Sequence, residues 1–376
     1  MATSPLNLKF TEGRGDINCP IVFIGYKPSE MDEDKGYVFS DTAGWLLDNM
    51  LKESNLPIPY FVTMQPLAKQ MLPDEICLTA LIQILEKKKY PLIVTCDTRR
   101  EKGEKLISDV LLHLIPSTGG NIDKYAGSLL TSPLINWPHY ILPIASPNYI
   151  FEAYHEKDIT VSIDLGRLRE ELTYYLKNDK KLQPLPEREL IIEPSAPLLI
   201  DFLQDCHKAE YLSKDWETIR PTKGTKVFKK HPGYPYTLSI APSPKRGISF
   251  SMWDYTNEEL VKIWRELDFL FKHNKQIYQN GFLFDIVFAE AMGFSPTLEL
   301  CSDTRIRHHI LHPELPHSLQ FQTRQYTRQP FYKDEGKHWK PKDKKRLMTY
   351  NALDTTVTYE VFLGQELDFD DRPYLR

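Results

Sequence analysis

The chain has 376 residues, 41% of them apolar and 12% aromatic, with a net charge of −4. That length holds two or three domains with sizeable cores, and the composition excludes a disordered chain and a uniformly basic nucleic-acid binder, though not local basic patches. Cysteines at 19, 77, 96, 206 and 301 are scattered without C-x-x-C spacing, which suits reduced thiols and argues against zinc or iron–sulfur centres.

The N-terminal stretch has no basic segment followed by an apolar one, and no apolar run approaches the ~20 residues that span a bilayer. The expectation is a cytoplasmic protein with no membrane partner. Residues 18–26, NCPIVFIGY, read as a buried strand, and an acidic loop follows. Asp41 to Gly44 then cap a helix with Trp45, Leu46, Leu47, Met50 and Leu51 at helical spacing. Strands at 60–63, 90–96 and 140–144 alternate with helices at 74–88, 100–114 and 164–177, with a Gly119–Gly120 loop before the last strand. Such alternation predicts a parallel sheet covered on both faces. Residues 178–196 are charged and proline-bearing with no apolar period, which reads as a connector.

A helix from Ala196 to His207 leads into the stretch Tyr211 to Thr218, where Asp215 and Glu217, two apart on a strand, share one face. Two like charges that close repel unless a cation lies between them, and hard divalent ions take carboxylate oxygens. Alone, D-x-E is more often surface charge. Extended segments at 234–240 and 247–252 suggest an antiparallel hairpin, and Asn257 to Phe271 an amphipathic helix. Asn280, Phe284 and Asp285 then fall at a strand-to-helix junction. In the helix 347–362, Tyr350 and Asp354 are four apart and lie on one face.

Between these last two elements the chain is dense in base: Arg305, Arg307, Arg324, Arg328, Lys333, Lys337, Lys340, Lys342, Lys344, Lys345 and Arg346. Phe321, Tyr326, Phe331, Tyr332 and Trp339 interleave, as in cationic grooves that stack single-stranded nucleic acid; a solvated face with core aromatics is an equal alternative. His308, His309, His312 and His317 lack cysteine partners and regular spacing, which argues against zinc.

Two resemblances follow from these motifs. The stretch with Gly25, Pro28, Phe39, Ala43, Gly44, Leu46 and Leu47 resembles the first motif of the uracil-DNA glycosylase superfamily. There Tyr26 and Lys27 stand where catalytic members carry water-activating residues, and Ser146 stands for the base-stabilising histidine. The resemblance therefore implies a glycosylase-like parallel-sheet α/β domain, 1–178, without the chemistry. D-x-E at Asp215 and Glu217, N-x-x-x-F-D at Asn280, Phe284 and Asp285, and Y-x-x-x-D at Tyr350 and Asp354 resemble the motifs of DEDDy-type 3′–5′ proofreading exonucleases. This implies a linker over 179–196 and an RNase H-like (DnaQ-type) mixed-sheet domain over 197–376.

The second resemblance further implies two divalent ions, Mg2+ or Mn2+, on Asp215, Glu217, Asp285 and Asp354, with Tyr350 orienting the attacking water. Thr218, Asn280, Phe284, Arg324 and Tyr326 are the candidate contacts to a single-stranded or frayed DNA 3′ end. Together the two domains resemble the front part of a bacteriophage family A (polymerase I-like) DNA polymerase, which would place the protein in a host cytoplasm. The chain would then be cut off before its polymerase domain or be a separate proofreading subunit. An active uracil-DNA glycosylase and a non-catalytic DNA-binding or tethering module are the competing readings. Lys214 stands where a buried strand normally carries an apolar residue.

Overall fold

The computed structural model describes residues 10–68, 72–97, 107, 125–153, 155–219, 234–333 and 343–375. They divide into two compact units between Leu185 and Pro186. The helix expected over 100–114 and the Gly119–Gly120 loop lie outside the described residues, apart from Ile107. Among the described residues no helix is long and apolar enough to cross a membrane.

In the first unit, β1 (Arg14–Gly15), β2 (Ile21–Gly25), β3 (Tyr60–Thr63), β4 (Leu92–Asp97) and β5 (Tyr140–Ala145) form a sheet ordered β1-β3-β2-β4-β5. Strands β2 to β5 run parallel, and the short β1 lies antiparallel on the edge. Every residue of β2, β4 and β5 is buried, as a parallel sheet with helices on both faces requires. Leu47, Met50 and Leu51 of α2 (Thr42–Glu53), following the short α1 (Glu30–Lys35), share one core with Phe23, Phe61 and Val94. Leu81 and Leu85 of α3 (Asp74–Glu86) join Val22, Ile24 and Ile93 in the other. Among the described residues, α4 (Pro147–Ala153) and α5 (His155–Lys177) follow β5. Gly44 is obligatory for steric reasons: a Cβ there would lie 1.9 Å from the carbonyl oxygen of Phe39.

The second unit carries β6 (Glu189–Ile192), β7 (Tyr211–Ile219), β8 (Tyr234–Ser243), β9 (Arg246–Phe250), β10 (Lys275–Tyr278) and β11 (Cys301–Asp303). Their order is β11-β10-β7-β8-β9-β6, with β7, β8 and β9 antiparallel and β10 and β11 parallel to β7. This is the mixed, RNase H-like sheet. Part of the expected linker is structural: Glu189 to Ile192 pair in parallel with β9. A charged sequence with only three apolar residues in a row hides such an edge strand from periodicity.

Helices α6 (Ala196–Cys206), α7 (Asn257–His273) and α8 (Asp285–Ala291) supply Leu199, Leu203, Ile263, Leu267, Leu270 and Phe288 to one core. Among the described residues, the α-helices α9 (Thr304–Leu311), α10 (Leu319–Tyr326) and the 28-residue α11 (Lys344–Asp371) follow. Helix α11 packs on β7, β8 and β9 through a polar seam, in which Asn351 Oδ1 accepts from Thr237 at 3.1 Å and Ser249 at 2.9 Å. Ser239 and Thr355 hydroxyls meet at 2.7 Å. Buried polar groups need such partners, and here they fix the register of the helix on the sheet. Gly247 lets helix and sheet approach: a Cβ there would meet Thr356 Cγ2 at 2.8 Å.

Candidate active site

The alternation of β7 decides which side chains meet. Trp216 belongs to the α7-side core, while Asp215 and Glu217 turn toward α11. One carboxylate oxygen from each of Asp215, Glu217 and Asp354 lies within 4.8 Å of the others, the only such ligand group among the described residues. The sheet and the last helix thus bring together residues 139 positions apart in sequence (354 − 215). Asp215 and Glu217 are partly exposed, so the cluster is open to a ligand.

Asp285 joins through the backbone. As the first residue of α8 it is buried, and its carboxylate accepts the N–H of Trp216 at 2.8 Å, between the two strand acids. Asn351 donates its amide to the carboxylate of Asp215 and, at 3.2 Å, to its carbonyl oxygen. Sequence reasoning missed Asn351, although its place between Tyr350 and Asp354 on a helix facing the sheet was a usable clue.

The electrostatics are those of crowded, desolvated acids. Burial, and then the charge of Asp354, push Asp215 up to about 7. Burial, and then Asp215, push Glu217 and Asp285 well above the usual carboxylate range. Burial and Asp354 likewise raise the Tyr350 hydroxyl, so it stays protonated at neutral pH. The ammonium of Lys333 opposes this charge: it contacts both Asp354 oxygens, at 2.6 and 2.7 Å, and Tyr350 Oη at 3.1 Å. A lone lysine in a basic stretch carried no sequence mark of that position.

Thr218 lies at an irregularity of β7, next to Glu217. Asn280 adopts the left-handed conformation (φ 68°) that ends β10, donates its N–H to Asp303 and accepts from Arg305 at 2.8 Å. Phe284 packs on the core and edge-on against Phe288. Arg324 lies over Phe321 on α10. The hydroxyl of Tyr326 donates to Asp368 at 2.8 Å and its ring abuts Gly364, so it joins α10 to α11. Phe321 and Tyr332 are buried, so they pack rather than offer stacking faces. Lys337, Trp339, Lys340 and Lys342 lie outside the described residues. The histidines bond to one another, His317 to His308 at 2.8 Å and to His309 at 3.0 Å.

Lys214 points the opposite way from the acids. It is buried, donates to Gln276 Oε1 at 3.0 Å and to the Leu270 carbonyl at 3.3 Å, and lies 3.8 Å over the Phe271 ring. Burial lowers its pKa to about 7. In the first unit a cleft of about 290 Å³ is lined by Gly25, Tyr26, Lys27, Phe39, Asp32 and Ser146 among others. The residues that depart from the glycosylase pattern therefore share one cleft.

Residues 12–160 match the family model of the uracil DNA glycosylase superfamily. No curated protein matches the chain. Among solved structures, the catalytic core of RRP6 from Trypanosoma brucei is similar at 15% identity and TM-score 0.39, over 51% of this chain and 52% of that one. The Nibbler EXO domain of Aedes aegypti is similar at 13% identity and TM-score 0.40, over 51% of this chain and 96% of that domain. The POL domain of Pol1 from M. smegmatis, in complex with DNA primer-template and dNTP, is similar at 9% identity and TM-score 0.37, over 49% and 28%. This chain thus spans about half of the RRP6 core.

Proposed function

We propose that the second unit is a 3′–5′ DNA exonuclease that releases nucleoside 5′-monophosphates, as part of or partner to a phage family A replicative polymerase. The observation that carries this reading is the convergence of Asp215, Glu217 and Asp354 with Asp285 at the adjacent backbone and Tyr350 one turn from Asp354. Crowded carboxylates, three of which offer an oxygen within 4.8 Å of one another, form a donor set suited to a hard divalent cation. Asp215, Glu217 and Asp354 would hold one such ion, and Asp215 with Asp285 a second. When bound, Mg2+ or Mn2+ would supply Lewis-acid charge at the attacking and leaving oxygens.

The chain's own groups do the rest. Tyr350, protonated, orients the water whose oxygen attacks phosphorus while the 3′-oxygen of the penultimate nucleotide leaves. Asn351 holds Asp215 at the correct angle, and the Trp216 N–H does the same for Asp285. Thr218, Asn280, Phe284, Arg324 and Tyr326 are the proposed contacts to a single-stranded or frayed 3′ end.

The test is release of mononucleotides from 3′-labelled single-stranded and mismatched DNA, with Mn2+, Mg2+ or EDTA. Cleavage that survives the double change Asp215→Ala and Asp354→Ala would sink the assignment. For the first unit we infer a glycosylase-like fold without base excision, on the strength of Tyr26, Lys27 and Ser146 in its cleft. Excision of uracil from DNA under EDTA would reverse that reading.

A further inference from the structure

Four carboxylates crowded in one partly desolvated site repel one another, and a positive charge among them relieves that repulsion. The protein supplies one itself. The Lys333 ammonium engages both oxygens of Asp354 and the hydroxyl of Tyr350, the two helix groups that the proposed reaction needs. Its side chain is only 15% exposed, and Asp354 is 9% exposed in the pair. The lysine is also anchored from behind. Its neighbour Tyr332 is buried against Val357 and Val361 of α11, beside Leu319 of α10. A flexible surface lysine that happened to reach an acid would have no such support.

The contact also sets up a competition. With both Asp354 oxygens at 2.6–2.7 Å from one nitrogen, a divalent ion drawing on Asp354 meets the ammonium's positive charge, and repulsion between the two cations favours its displacement. We propose that Lys333 is a positioning residue that serves as the resident counter-cation of the site, holding Asp354 until a divalent ion takes the carboxylate from it. Metal loading is thereby an exchange of one cation for another. The ammonium released from Asp354 remains beside the Tyr350 hydroxyl.

This inference rests on the nuclease reading, and its test separates the two. Mn2+ binding is measured by calorimetry on the full chain, alongside thermal unfolding with and without Mn2+. Lys333→Met should bind Mn2+ about tenfold more tightly than the native chain, because no cation competes. Without metal, Lys333→Met should unfold at a lower temperature, and Mn2+ should raise it by more than it raises the native chain. Combining Lys333→Met with Asp354→Asn should restore the metal-free midpoint, since the unpaired charge is then gone. Lys333→Gln serves as a second, gentler variant with the same expected directions. Equal or weaker Mn2+ binding by both variants overturns the exchange while leaving the nuclease reading intact if the native chain still binds Mn2+ and cleaves. A native chain that neither binds Mn2+ nor cleaves overturns both.

Discussion

The carboxylate of Asp285 accepts the backbone N–H of Trp216, the residue between Asp215 and Glu217, at 2.8 Å. An acid at the start of a helix is thus fastened to the strand that carries the other two. The same contact ties stability to the site, because that buried N–H loses its acceptor when the carboxylate is removed. Asp285→Ala should therefore destabilise the fold by about 1–3 kcal/mol and abolish cleavage. Asp285→Asn, which can still accept the bond, should keep the unfolding midpoint and lose activity. Chemical denaturation with a parallel nuclease assay separates the two variants.

Asn351 tests the polar seam. Its amide oxygen serves two buried hydroxyls and its NH2 group holds Asp215. Asn351→Leu leaves Thr237 and Ser249 short of an acceptor and should cost about 2–4 kcal/mol. Activity should fall at every metal concentration, since Asp215 loses its orienting donor. Urea unfolding and a Mn2+ titration of cleavage measure the two effects; unchanged stability would count against the seam.

Gly247 sets the distance between helix and sheet. A methyl group there would come to 2.8 Å from Thr356 Cγ2 and 3.2 Å from the Ala352 carbonyl oxygen. Gly247→Ala should push α11, and with it Tyr350 and Asp354, away from β7 and lower both stability and kcat, with a cost of about 1–3 kcal/mol. Adding Thr356→Ser removes the methyl group that clashes and should recover part of the loss. A double-mutant cycle showing no coupling would mean that the contact does not set the spacing.

Lys214 predicts a pH dependence of stability with a definite sign. Its pKa is about 7 when folded, against the ordinary lysine value when unfolded. Between pH 7 and about 10 the unfolded chain binds a proton that the fold does not, so stability from this group rises with pH, by about 1.4 kcal/mol per unit at most. Lys214→Met should be more stable than the native chain at pH 7, and its advantage should vanish toward pH 10. The Gln276 carbonyl keeps the Tyr278 hydroxyl as a donor in that variant. Denaturation midpoints of both proteins at pH 7, 8.5 and 10 decide the matter; parallel curves would rule out a neutral buried lysine.

Much of this architecture was legible in the chain. Short, largely apolar runs such as IVFIG and LIVTC read as strands buried on both faces, and period 2 alone placed Asp215 and Glu217 on one side of β7. The four-residue spacing of Tyr350 and Asp354 likewise put them on one face of a helix, because helical geometry is local. The edge strands of the second sheet were not legible: β6 and β11 have four and three residues, and their pairing depends on a partner far away in sequence. Nor were the roles of the polar residues. Local pattern says that Lys214, Asn351 and Lys333 are polar, but which becomes a core lysine, a clamp on Asp215 or a counter-ion to Asp354 depends on what packs against each. Desolvation and hydrogen-bond partnership are properties of the assembled sheet and helix, so only the tertiary structure could decide them.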